Sequence, residues 1–162
     1  MVGAEVSART LVSTLTSRGL TLATAESLTA GLVAATIADV PGASATLQGG
    51  TIAYHSRVKH AVLGVEAELL AERGAVDEDV ALAMADGARR LYGADLGVAT
   101  TGVAGPEPHE GKPVGTVVVA ATADGAGQAR SLRLIGARAE IRAATVSASL
   151  ALLSELVDAL PR

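Results

Sequence analysis

The chain has two aromatic residues, Tyr54 and Tyr92, and neither phenylalanine nor tryptophan, so its core must be built from alanine, valine, leucine and isoleucine. It has enough of them. Hydrophobic residues make up 49% of the 162 positions and charged residues 19%, which excludes a disordered chain and a coiled coil and suits one domain over residues 1–162. Cysteine is absent, which excludes disulfides, cysteine–zinc sites and a thiolate nucleophile. A net charge of −4 argues against nucleic acid as a partner, since that surface needs clustered positive charge. No apolar run approaches the ~18 residues that span a bilayer, so no membrane partner is expected. Glu5 and Arg9 interrupt any signal-peptide core at the N-terminus, and a cytoplasmic location is expected.

The pattern along the chain alternates strands with helices. Helical spacing runs from Glu5 to Ser17 and stops at Gly19. Thr21 to Ala25 reads as an inner strand. Ser27 and Thr29, both natural N-cap types, precede a helix over Ala30 to Val40 that Pro41-Gly42 closes. Strand-like spacing follows over Leu47 to Tyr54, a short helix over Lys59 to Leu63, and a longer helix over Asp77 to Tyr92 with Asp77 as its cap. Asp95 to Thr101 reads as a strand that enters a loop at Gly102. Val114 to Thr122 and Ala129 to Ile135 form a hairpin around Asp124-Gly125, and Arg138 to Leu160 closes the chain as a helix. This order predicts an α/β fold, a three-layer α/β/α sandwich on a mixed sheet.

Open α/β sheets place ligands at strand ends, and polar residues gather there in four stretches: Ala25 to Gly31, Pro41 to Ser44, Tyr54 to Lys59, and Thr101 to Pro106. Several mechanisms fail against them. His55, His60 and His109 lack the spacing of a zinc hydrolase, so no metal is expected. No Walker loop and no Gly-x-Gly-x-x-Gly follows the first strand, and Tyr54 and Lys59 are five apart rather than the four of short-chain dehydrogenases. No cofactor is called for.

Hydroxyl chemistry with a lysine or tyrosine as proton carrier remains. Of 13 basic residues, only Lys59 and Lys112 are lysines. A chain that favours arginine keeps an amine where deprotonation is needed, because guanidinium stays protonated. A serine needs an adjacent base, and a desolvated lysine can serve. Ser44, Tyr54 and Lys59 supply these parts. Each also has an ordinary reading: Ser44 as a turn residue, Tyr54 as core, Lys59 as a solvated cation.

Together the four stretches resemble the CinA C-terminal domain family. The family's Thr-Ala-Glu-Ser-Cys-Thr-Gly-Gly pattern corresponds to Thr24 through Gly31, with Leu28 for the cysteine and Ala30 for a glycine. Its Val-Pro-Gly-Ser-Ser corresponds to Val40 through Ser44, with Ala43 for the first serine. Tyr54 through Lys59, Gly74-Ala75-Val76, Thr101 through Pro106 and Lys112 through Val117 follow in the family's order. The resemblance runs from about residue 5 to 157.

That resemblance implies nicotinamide-nucleotide amidase activity: hydrolysis of the carboxamide of nicotinamide mononucleotide to nicotinic acid mononucleotide and ammonia. By position it implies Ser44 as nucleophile, Lys59 as its base, Tyr54 in proton transfer and Thr101 in orienting the substrate. Ser27, Thr29 and Gly102 join the substrate-binding set, since glycine-rich loops and helix starts present N–H donors to an oxyanion. Arg138 and Arg142, four apart at a helix start, can hold the substrate phosphate, with neutralisation by Glu140 or water as the ordinary alternative. A homo-oligomer is expected, with a small nucleotide as the other partner. A non-catalytic nucleotide-binding module that keeps the fold is the runner-up.

Overall fold

The computed structural model describes residues 6–162, so the predicted start of the first helix at Glu5 lies outside the described residues. Helix α1 (Ala8–Arg18) begins where the Ser7 hydroxyl accepts from the Thr10 amide and ends at Gly19, whose positive φ only glycine adopts freely. Strand β1 (Leu22–Glu26) and helix α2 (Leu32–Ala38) follow, then a short 3₁₀ turn over Ala43–Ala45 and strand β2 (Leu47–Ile52). Helices α3 (Ser56–Ala61), α4 (Ala67–Arg73) and α5 (Glu78–Leu91) lead to strand β3 (Leu96–Gly102). Strands β4 (Thr116–Ala123) and β5 (Ala126–Arg133) form the predicted hairpin, and helix α6 (Arg138–Ala159) completes the chain.

The sheet has the order β2-β1-β3-β4-β5. β1 runs parallel to both β2 and β3, while β4 is antiparallel to β3 and to β5. The fold is therefore the expected α/β sandwich on a mixed sheet. Helices α1, α2 and α6 cover one face, where Leu22, Leu96, Val98, Val117 and Val119 meet Leu15, Ile37, Leu153 and Leu156. Helix α5 and the residues around Leu63 and Val65 cover the other, against Ala23, Ala25, Ala99, Val118 and Ala120. Small side chains dominate that second face because α5 lies close to the sheet. A Cβ on Gly97 would sit 2.0 Å from the Ala85 carbonyl oxygen, so only glycine permits the approach. With no phenylalanine or tryptophan in the chain, close backbone packing fills space that such rings fill elsewhere.

Three local expectations need correction. Helix α2 starts at Leu32 rather than Ala30, because Ala30 (φ 48°) and Gly31 (φ 100°) turn the chain through the left-handed region first. Neither Ser27 nor Thr29 caps it. The buried Glu26 carboxylate does, accepting from the amides of Val33 at 2.8 Å and Ala34 at 3.1 Å. Helix α3 begins three residues before Lys59, and α4 is an element that the apolar spacing did not announce.

Candidate active site

Chain direction places the site. α2 leaves β1 on one face of the sheet, whereas α5 returns to β3 across the other, and a crevice opens where these crossovers diverge. Residues at or just past the C-terminal ends of β1, β2 and β3 line it: Ser27 and Leu28, Tyr54 and His55, Thr101 and Gly102. Lys59 of α3, Arg138 of α6 and the loop from Val103 to Glu110 complete a cleft of about 400 Å3.

Lys59 is 1% exposed and so is buried at the floor of this cleft. Its Nζ lies 2.9 Å from the Ser27 Oγ, 2.9 Å from the Ala53 carbonyl oxygen and 3.4 Å from that of Tyr54. Burial pulls its pKa down from 10.5 to about 8, and the Glu110 carboxylate acts in the opposite direction. Ser27 is itself held in place: its amide donates to the Thr100 carbonyl at 3.0 Å, locking the residue onto the end of β3. A buried hydroxyl touching an amine whose pKa is lowered to about 8 has the geometry that a nucleophile and its base require.

The hydroxyl that meets Lys59 is therefore Ser27, and the expectation for Ser44 is corrected. Ser44 is exposed in the 3₁₀ turn that precedes β2. Parallel pairing of Leu22 with Leu47 puts that turn beside the start of β1, whereas Ser27 follows its end. About 15 Å of strand separates the two. Sequence distance misleads here, because Ser44 is nearer to Lys59 in the chain and Ser27 nearer in space.

Tyr54 contributes differently from the expectation. Its carbonyl faces Lys59, but its side chain is 55% exposed and its hydroxyl accepts from Arg138 at 2.7 Å, not from the Ser27–Lys59 pair. Thr29 is fully buried and its Oγ1 shares a 2.8 Å hydrogen bond with Thr100 Oγ1, so it braces the loop instead of facing the cleft. Thr101 lines the cleft, yet its hydroxyl is committed to the Ala75 carbonyl at 2.7 Å. Gly102 lines the cleft as expected.

The two arginines of α6 separate. Arg138 reaches the cleft and donates to the Gly105 carbonyl as well as to Tyr54. Arg142 donates to the carbonyls of Leu28 at 2.8 Å and Thr29 at 3.0 Å, clamping the backbone just after Ser27. Glu140 neutralises neither; it accepts from the Ala137 amide and caps the helix.

Four contributors were not expected: Glu26, Thr100, His109 and Glu110. Glu26 sits beside Ser27 in a stretch already singled out, and a carboxylate between an inner strand and a helix start was the available signal. Thr100 lies one residue before the marked loop. Glu110 and His109 come from a loop without periodicity, which no spacing rule reads. Among the described residues no three histidine, aspartate or glutamate side chains gather closely enough to hold a metal ion.

Comparison with known proteins agrees with this architecture. The family model of the CinA C-terminal domain matches residues 4–157. A CinA-like protein of Frankia casuarinae is 48% identical over 147 residues, 91% of this chain and 34% of that protein. One of Geobacter sulfurreducens is 50% identical over 135 residues, 82% of this chain and 32% of that protein. The chain thus spans about a third of the length of the curated relatives it matches. Among solved structures, the competence/damage inducible protein CihA of Agrobacterium tumefaciens superposes with a TM-score of 0.89 at 39% identity, over 92% of each chain. A CinA superfamily protein of Klebsiella pneumoniae gives a TM-score of 0.91 at 34% identity, over 94% of this chain and 96% of that one. The chain belongs to the CinA C-terminal domain family.

Proposed function

We propose that this protein is an amidohydrolase that releases ammonia from the carboxamide of nicotinamide mononucleotide, with Ser27 as nucleophile and Lys59 as its base. The observation that carries the reading is the 2.9 Å contact between the two side chains in a buried floor, with the lysine pKa lowered to about 8.

The chemistry follows from those groups. Neutral Lys59 takes the Ser27 proton as Oγ bonds to the carboxamide carbon, and negative charge moves to the carbonyl oxygen. That oxyanion needs N–H donors from the residues that line the cleft. Lys59 then returns the proton to the departing nitrogen, the C–N bond breaks and ammonia leaves. Water attacks the acyl-serine in the reverse roles, Lys59 accepting its proton and giving it back to Ser27. Arg138 is the cation in place for the substrate phosphate, whereas Arg142 is spent on the backbone.

The test is ammonia release from nicotinamide mononucleotide by purified protein without added metal, against Ser27→Ala. The expected result is turnover that the variant loses and that free nicotinamide scarcely supports. Binding of the nucleotide without ammonia release would instead mark a nucleotide-binding module.

A further inference from the structure

The cleft is lined by charges of both signs. Arg138 comes from α6, and Glu107 and Glu110 come from the loop whose Gly105 carbonyl Arg138 holds. Glu110 is held there by construction. Its backbone occupies the left-handed region at φ 48°, a conformation that costs a non-glycine residue energy and is kept where the surroundings dictate it. One carboxylate oxygen accepts from the Ala75 amide at 2.8 Å. The other faces His109 Nε2 at 3.7 Å, and the side chain stays 36% exposed at the cleft. Lys112, two residues on, donates to the Val76 carbonyl, so the loop is fastened to the 75–76 segment on both sides of Glu110's neighbour Gly111. A carboxylate preset in this way costs little to present to a ligand.

We infer that Glu110 is a specificity residue that selects a carboxamide carried on a cationic ring and disfavours a carboxylate in the same place. The inference rests on the amidohydrolase reading for the identity of the ring and adds to it a residue that distinguishes substrate from product by charge. A pyridinium ring presents a positive charge near its carboxamide, and Glu110 attracts it. Hydrolysis turns that neutral amide into an anion, which Glu110 repels, so the same charge that favours substrate hastens release of product. Arg138 takes the phosphate in both.

The experiment compares ligands of the same ribose and phosphate that differ chiefly in ring charge or in the charge of the ring substituent. Nicotinamide mononucleotide has a cationic ring; its dihydro form has the same carboxamide, ribose and phosphate on a neutral ring. Binding is measured by calorimetry in a Ser27→Ala background, so that turnover plays no part, and nicotinic acid mononucleotide is the third ligand. Glu110→Gln keeps an acceptor for the Ala75 amide while removing the charge. It should weaken nicotinamide mononucleotide about fivefold to twentyfold, leave the dihydro form within about twofold, and change the product, whose ring stays cationic while its carboxylate is repelled, far less than the substrate. If Glu110→Gln is poorly folded by thermal melting, Glu110→Asn, which tolerates left-handed backbone, replaces it.

Equal losses for cationic and neutral rings overturn the inference and leave the amidohydrolase reading intact, provided the unsubstituted protein releases ammonia. Charge-selective binding with no ammonia release by the unsubstituted protein sustains the inference and overturns that reading. Binding of none of the three ligands overturns both.

Discussion

The amine of Lys59 sits between the Ser27 hydroxyl and the carbonyl oxygen of Ala53, 2.9 Å from each, with the Tyr54 carbonyl at 3.4 Å. Counting donors shows which protonation state this pocket suits. A neutral amine has two N–H bonds and one lone pair. The two carbonyls take the N–H bonds, and the lone pair is left for the Ser27 O–H. An ammonium can also fill the pocket, but only by making the serine an acceptor, which leaves the hydroxyl proton to seek the Tyr54 carbonyl at 3.5 Å. While protonated, the amine donates to the Ser27 hydroxyl; once it loses that proton, the same contact offers the serine a lone pair.

Substitution of the two serines separates the candidates. Ser27→Ala should lower ammonia release by at least ~10²-fold, whereas Ser44→Ala, on an exposed turn, should change it less than about twofold. Lys59→Arg keeps a charge but cannot accept a proton at working pH, and should fall as far as Ser27→Ala. The double variant should lose little more than either single one, because the two act as a unit. Activity of Lys59→Arg above about a tenth of the original would remove lysine as the base.

The pH profile follows from the same lysine. With a pKa of about 8, roughly a tenth of Lys59 is neutral at pH 7. For ammonia release, kcat/KM should climb about tenfold per pH unit below 7 and level off above about 9. Glu110 acts to raise this pKa, so Glu110→Gln should move the rise to lower pH. A profile flat from pH 6 to 9 would contradict the assignment.

How legible was this in the sequence? The strands, most of the helices and the layers follow from apolar spacing, because buried strands and amphipathic helices must show their periods; the order of strands in the sheet does not. Asp77 announced itself as a cap, and the structure has it accepting from the Asp79 and Val80 amides. Lys59 stood out because an arginine-rich chain kept an amine. The partner of Lys59 could not be read, since Ser27 and Ser44 carry the same hydroxyl. What decides between them is strand direction: parallel pairing sends the end of β1 toward α3 and the start of β2 away. Arg142 misled for a similar reason. Two arginines one turn apart look like a pair, yet each finds a different carbonyl.

Those different partners predict different losses. Arg142→Ala removes two charge-assisted hydrogen bonds to the Leu28 and Thr29 carbonyls and should cost about 1.5–3 kcal/mol of stability. Arg138→Ala should leave stability within about 1 kcal/mol and instead raise KM for the phosphorylated substrate. The rise should be smaller for nicotinamide riboside, which lacks the phosphate. Equal effects on both substrates would assign Arg138 to holding Tyr54 and Gly105 alone.

Ala30 marks a position where the chain carries strain. Its φ of 48° places an L side chain in the left-handed region immediately before α2. Glycine there has no Cβ to crowd the carbonyl, and Ala30→Gly should gain about 1 kcal/mol by urea unfolding despite the greater freedom of the unfolded chain. Loss of stability on that substitution would show that the Ala30 methyl packs usefully enough to offset its backbone.

Burial of Lys59 also leaves a signature in stability that needs no substrate. The folded pKa of about 8 lies below the ordinary value of 10.5 that the unfolded chain keeps. Below pH 8 both states hold the proton, and the fold bears the whole cost of burying an ammonium. Between about pH 8 and 10.5 the unfolded chain still holds a proton that the folded chain has released. More protons on the unfolded state mean that the free energy of unfolding rises with pH across that window. Lys59→Met has no such group, so its curve should lack this rise. Its absolute stability is a poor guide, because methionine also strips the Ala53 and Tyr54 carbonyls of their donor. The slope is free of that constant offset. Urea unfolding at pH 7, 8, 9 and 10 should show the original chain gaining on Lys59→Met as pH climbs. A difference that stays flat over those four points would mean that Lys59 is as well solvated folded as unfolded, and its role as a base would go with it.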